Sequence, residues 1–121
     1  MNTKAAYYEG NKTFSLRESE DVPPGPGEVL IRVAASSVNP VDCKIRSGLL
    51  QAIAPAFPAV LHGDVAGVVE ETGAGVDRFR PGDEVYACAG GLKGLGGALA
   101  EYMAADAQLV AHKPASLSMA E

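Results

Sequence analysis

Residues Phe57–Tyr86, FPAVLHGDVAGVVEETGAGVDRFRPGDEVY, decide how this chain folds. Two strand-like runs, Val65–Glu70 and Asp83–Ala87, flank a series of tight-turn signals: Gly73, Gly75, then Arg80-Pro81-Gly82-Asp83. Glycine reaches the positive-φ positions such turns use, and Pro81 pre-sets the bend before Gly82. Towards the N-terminus, Ala5–Glu9 and Phe14–Glu18 read as short strands around Gly10-Asn11-Lys12. The stiff turn Pro23-Pro24-Gly25-Pro26-Gly27 then leads into a strong strand, Glu28–Val38. There Val29, Ile31 and Val33 alternate with Glu28, Leu30 and Arg32, the period-2 pattern of a half-buried strand. Asn39–Gly48 switches to a short helical turn, with Pro40 at a tolerated first-turn position. Ala100–Ala104 and Leu109–His112 supply the remaining strands. The sum predicts a mainly β, mostly antiparallel, small irregular barrel, and the pattern alone equally permits other small barrels.

Bulk properties narrow the function classes. A chain of 121 residues fits one domain with a core of its own. Fourteen glycines and eight prolines interrupt it too often for long helices. The net charge of −5 argues against nonspecific nucleic-acid binding, which needs a basic face to displace counterions. No run approaches the roughly 20 apolar residues of a membrane span, and Met1–Ala5 lacks the apolar core of a signal peptide. Two cysteines, Cys43 and Cys88, do not make a secreted disulfide scaffold. A cytoplasmic protein with reduced thiols is expected, with neither nucleic acid nor membrane as partner.

The ordered series from Pro58 through Asp64, Ala66-Gly67, Val68-Val69, Gly73-x-Gly75-Val76 and Pro81-Gly82-Asp83-x-Val85 resembles the catalytic domain of the medium-chain dehydrogenase/reductases. Gly97-Ala98-Leu99-Ala100-Glu101-Tyr102 resembles that family's Gly-x-x-Ala-Glu-Tyr strand, where the acid and the tyrosine are structural. The resemblance implies a GroES-like barrel over residues 1–115. It also implies that residues 116–121 begin a linker helix towards a Rossmann nucleotide-binding domain that this chain lacks. Ser118 and Glu121 have the S-x-x-E spacing of a capping box, which announces a helix or is a polar tail. On this reading the chain is an N-terminal piece, inactive alone and prone to self-association through uncovered apolar surface.

Two branches of the family compete. Zinc alcohol dehydrogenases bind catalytic zinc through a cysteine after the long strand and a histidine before the acidic residue. Here Asn39 and Gly63 stand at those positions, and only Cys88 occupies the region of the four-cysteine structural lobe. No metal site is expected. A shifted triad of Cys43, His62 and Asp64 would need converging geometry and a second shell, so His62 reads as a turn residue and Cys43 as a packed small side chain.

Asn39-Pro40-Val41-Asp42-x-Lys44 resembles the zinc-independent quinone-oxidoreductase branch. The resemblance places Asn39 against the nicotinamide and substrate, and Lys44 beside the cofactor. It implies NADPH as cofactor, bound mainly by the absent domain, with Asn39, Pro40 and Lys44 contributing. It also implies a quinone or α,β-unsaturated carbonyl as the small-molecule substrate, and a homodimer in the full-length form. Hydride delivery to an enone or quinone develops negative charge on oxygen. Asn39 as an amide donor and Lys44 as a cation, the two expected catalytic residues, would stabilise it. The bland alternatives are a turn asparagine, an Asp42 that only accepts backbone N–H groups, and a solvated Lys44. The glycine-rich run Ala89–Ala98 satisfies no phosphate-binding pattern. It reads as a loop in which Leu92 and Leu95 pack down or border the substrate cleft. Two other functions stay open: a zinc alcohol dehydrogenase with displaced ligands, and a stand-alone GroES-like binding module.

Overall fold

In the computed structural model, which describes residues 2–10, 13–20, 23–48, 59–90 and 96–121, the chain is carried by two antiparallel sheets. The turn residues Asn11 and Lys12, the start of the decisive stretch at Phe57-Pro58, and Leu92 and Leu95 lie outside the described residues. In the first sheet, β1 (Asn2–Tyr8) pairs with β2 (Phe14–Glu20) on one side and with β4 (Ala59–Val60) on the other. The second is built from β3 (Glu28–Ser37), β5 (Asp64–Thr72), β6 (Glu84–Cys88), β7 (Tyr102–Asp106) and β8 (Val110–His112). These five pair in the order β7-β3-β5-β6-β8. Glu101 joins the sheets. Its Oε1 accepts the Lys4 N–H at 2.7 Å, its carbonyl accepts the Val33 N–H at 2.8 Å, and Ala5 bridges Ala100 beside it. The structural role expected for Glu101 is therefore filled. This is a mainly β architecture, as the resemblance implies.

Strand alternation builds the core. Val65, Gly67 and Val69 of β5, and Val85 and Ala87 of β6, are buried, while the residues between them are more exposed. Of these, Val65, Val69, Val85 and Ala87 pack with Val29, Ile31, Met103, Val110 and Phe79 in the larger core cluster. Burying each large apolar side chain is worth about 1.5–3 kcal/mol. A smaller cluster, Tyr8, Ile45, Ala59 and Leu61, seats the helix α1 (Pro40–Ser47). The β5–β6 connection closes as its sequence requires. The Asp83 N–H donates to the Arg80 carbonyl at 3.1 Å, the Asp83 carboxylate accepts the Arg80 N–H at 2.9 Å, and Gly82 sits at φ 97°.

Several local expectations are corrected. Leu30, expected on the open face of β3, is only 4% exposed, and Val33 is half-buried. Two register shifts break the simple alternation: β5 carries an extra residue at Glu70, and β3 an extra residue at Ala34. Each such bulge resets which side chains oppose each other. The second sets Ser37, rather than Ser36, against Asp64. Cys43 is exposed, because Val41 and Ile45, four apart, take the inward face of α1. The strand expected from Ala100 begins at Tyr102, leaving Ala100 as an isolated bridge. The strand expected from Leu109 begins at Val110. A short 3-10 turn, Ala107–Leu109, precedes it, and the Asp106 carboxylate accepts the Gln108 N–H at 2.9 Å. At the C-terminus the backbone forms turns, and the Ser118 N–H donates to Glu121 Oε1 at 3.1 Å, the glutamate half of a capping box.

Candidate functional site

The Asn39 segment is held from both ends. Asn39 is the extended N-cap of α1 (φ −109°, ψ 158°), Pro40 opens the helix, and Gly48 closes it in the left-handed region at φ 87°. Proline suits the first position because its missing N–H would have no helical partner there. Asp42 is buried and its Oδ2 accepts the Asn39 backbone N–H at 2.9 Å, so the plain backbone role foreseen for it is realised. The helix is tied down by Ile45 in the smaller core and by the Tyr8 hydroxyl, which donates to the Arg46 carbonyl.

Asp64 gathers the polar groups around this N-cap. Register puts Ser37 of β3 and Cys88 of β6 directly beside Asp64 of β5, in one row across three strands. Asp64 Oδ2 accepts from Asn39 Nδ2 at 2.7 Å and from Ser37 Oγ at 2.9 Å. The Asn39 bond, with smaller help from Cys88 and Ser37, holds the Asp64 carboxyl below the usual carboxylate range against the opposing effect of burial. The Cys88 thiol moves the other way. Its hydrogen bond to Asp64, then burial, then the charges of Asp64 and Asp42 push it up. Because the thiolate is the reactive form, Asp64→Asn should accelerate alkylation of Cys88 at pH 8 severalfold, read by mass spectrometry of the labelled peptide. An unchanged rate would remove Asp64 as the group that restrains this thiol.

The other expected site residues are dispersed. Lys44 projects from the exposed side of α1, and among the described residues its ammonium makes no hydrogen bond or ion pair. No bond joins it to Asn39. Pro40 is exposed beside the N-cap. His62, expected in a turn, lies in the irregular segment between β4 and β5 at φ 77°, with Nδ1 3.0 Å from Ser36 Oγ. At the two positions where the resemblance would put zinc ligands, Asn39 offers an amide whose nitrogen is on Asp64, and Gly63 has no side chain. Even a Cβ at Gly63 would stand 3.0 Å from the Gly90 carbonyl oxygen. Among the described residues, no group of three or more His, Cys, Asp or Glu side chains is placed to hold a metal ion.

A cleft of about 370 Å³ opens against this end of the sheet. Ser37, Asp64, Ala66 and Tyr86 line its sheet side, and Leu117 and Met119 the opposite wall. That wall is pinned by Lys113, whose side chain is only 8% exposed. Its Nζ donates to the Pro114 carbonyl at 3.0 Å and to the Leu117 carbonyl, and stands 3.6 Å from Glu84 Oε1. Sequence reasoning gave Ser37 and Lys113 no part in the site, weighed Cys88 only as a lone cysteine in the structural-lobe region, and weighed Asp64 as a family-pattern acid or a displaced metal ligand. The Ser37–Asp64–Cys88 row depends on strand register, which the Ala34 bulge sets and no motif announces.

Comparison with known proteins follows from this geometry. The family model for the alcohol dehydrogenase GroES-like domain matches residues 25–115. A quinone-oxidoreductase homolog of Spinacia oleracea chloroplasts is 39% identical over 115 residues, covering 93% of this chain and 34% of its own length. An Arabidopsis thaliana NADPH-dependent alkenal/one oxidoreductase is 43% identical over 98 residues, covering 78% of this chain and 25% of its own. The crystal structure of an alcohol dehydrogenase superfamily protein from Novosphingobium aromaticivorans superposes with a TM-score of 0.91 at 44% identity, over 97% of this chain and 36% of that one. The chain thus spans about a third of the length of such relatives.

Proposed function

The chain belongs to the alcohol dehydrogenase GroES-like domain family, on the quinone-oxidoreductase-like branch of the medium-chain dehydrogenase/reductases, and from that premise we propose that it forms the catalytic-domain portion of an NADPH-dependent reductase of quinones or α,β-unsaturated carbonyls, working without zinc. The observation that carries the reading is the Asn39 amide, bonded to the cleft-lining Asp64 and standing at the position where the resemblance would put a zinc enzyme's thiolate. The relatives named for quinone and NADPH-dependent alkenal/one chemistry support the same substrate class and cofactor.

A reduced nicotinamide, when bound, supplies the hydride. The chain's own contribution is positioning and polarisation. Asn39 has one amide N–H on Asp64 and keeps the other for a carbonyl oxygen of the substrate or cofactor. Lys44, an exposed cation without a partner among the described residues, offers positive charge to a developing oxyanion or to the cofactor's ribose and phosphate. Pro40 stiffens the turn between them. Apolar Ala66, Leu117 and Met119 in the cleft wall suit a neutral, largely hydrocarbon carbonyl compound. No helix among the described residues is long and apolar enough to cross a membrane, and a cytoplasmic site with a homodimeric assembly completes the reading.

The test is kinetic. In the full-length protein, Asn39→Ala and Lys44→Ala should each lower kcat/KM for a quinone or enone by tenfold or more, about 1.4 kcal/mol for one lost interaction. Activity should survive chelator treatment, with zinc well below one per chain. Unchanged kinetics in both variants would sink the residue assignment, and stoichiometric zinc essential to turnover would restore the zinc-dehydrogenase alternative.

A further inference from the structure

Asp64 accepts more hydrogen bonds than a strand-end carboxylate needs, and two of its donors arrive from different elements. Ser37 reaches it from β3 and Asn39 from the N-cap of α1, with Cys88 of β6 as the third. An ionised carboxylate only accepts, whereas an asparagine amide carries a donor end and an acceptor end on one rotatable group. A carboxylate 2.7 Å from Nδ2 therefore permits one flip of the Asn39 amide and opposes the other, which would set Oδ1 against a negative oxygen. Asp42 simultaneously holds the backbone N–H of the same residue, so both ends of Asn39 are clamped by carboxylates.

We propose that Asp64 is a positioning residue: its carboxylate locks the Asn39 amide nitrogen-inward, so that Asn39 meets a ligand oxygen in a single donor orientation. This rests on the reading of Asn39 as a ligand-facing group. It adds a residue that acts through Asn39, deciding what Asn39 presents to a ligand. Ser37 fills a further lone pair of the same carboxylate oxygen and resists its rotation. The Ala34 bulge is the device that brings Ser37 to that place. Protonation of Asp64 would supply a competing donor and release the lock. The titratable and charged groups around it are Cys88 on β6, Asp42 on α1, His62 in the segment before β5, and Lys113 and Glu121, which line the same cleft.

Two measurements test this, one independent of activity. In the ¹⁵N-labelled 121-residue chain, the Asn39 side-chain amide signals should move as pH falls, with a midpoint below the ordinary carboxylate range. Asp64→Asn should abolish that titration and shift the signals at neutral pH. Amide signals that ignore both pH and Asp64→Asn overturn the proposal. If Asp64→Asn does not fold, Ser37→Ala provides the second variant, expected to raise the midpoint; an unmoved midpoint counts against the lock. In the full-length protein, Asp64→Asn should lower kcat/KM about tenfold, yet change it less than twofold in an Asn39→Ala background. Effects that multiply would make Asp64 merely structural and overturn the proposal. Wild-type protein that reduces neither quinones nor enones would defeat the functional reading alone, since the amide titration still decides the lock.

Discussion

Gly67→Ala should cost the fold about 3 kcal/mol or more and lower Tm by on the order of 10 °C. Gly67 pairs with Val33 on β3 and with Val85 on β6, in the middle strand of the larger sheet. A Cβ there would lie 2.2 Å from the Arg32 carbonyl oxygen and 2.8 Å from Ile31 Cγ2. The first obstacle is backbone, which cannot rotate aside as a side-chain tip can. Relief requires β5 to move away from β3, and that motion would also part Ser37 from Asp64. The substitution should therefore disturb the Asn39 side-chain amide as well as the melting temperature. Gly75→Ala is the control. Gly75 has open space around its absent Cβ, and only its φ of 82° opposes a side chain, which costs about 1–2 kcal/mol. A Gly67→Ala chain melting within a degree or two of wild type would show that the two strands can separate cheaply.

Phe79→Ala should cost about 3–5 kcal/mol, the range for emptying an aromatic site in a core. Phe79 is 2% exposed although it lies in the connection between β5 and β6, outside any strand. Its ring sits 4.7 Å from that of His112 at the end of β8, and the Arg78 guanidinium lies 4.8 Å from the ring centroid. Arg78 Nη2 also donates to the Val110 carbonyl at 2.8 Å. The residue pair thus pins the long connection to the last strand, so losing the ring loosens β8 as well as leaving a cavity. Phe79→Leu keeps most of the apolar volume and should cost roughly half as much. Calorimetry on both variants separates these effects; a Phe79→Ala cost near 1 kcal/mol would mean the connection collapses to fill the space.

Phe79 also marks a limit of pattern reading. Inside Asp77-Arg78-Phe79-Arg80-Pro81 it is a lone aromatic among charges, and periodicity assigns it to no face. The turn beside it was legible because Pro81 restricts φ and Gly82 can take the positive φ that a turn uses, and the structure returns the expected bonds between Arg80 and Asp83. The helix Pro40–Ser47 was legible for a similar reason: proline at its first position and glycine past its last act within a few residues of themselves. Leu30 was misplaced because a two-residue period presumes one open face, whereas β3 is buried on both faces at Val29, Leu30 and Ile31.

The site divides along the same line. Asn39 and Lys44 were named from a short motif, and the absence of zinc ligands at Asn39 and Gly63 from the identity of two residues. Those statements rest on the resemblance of short local motifs to a family, together with side-chain chemistry. That Asn39 spends an amide proton on Asp64, and that Ser37 and Cys88 share the same carboxylate, are consequences of contacts between separate elements far apart in the chain. Strand composition, turns and the family pattern are local and are written in the order of residues. The electrostatic partners of the site are not, because one extra residue at Ala34 changes which hydroxyl meets Asp64, and only the paired sheet decides where that residue is accommodated.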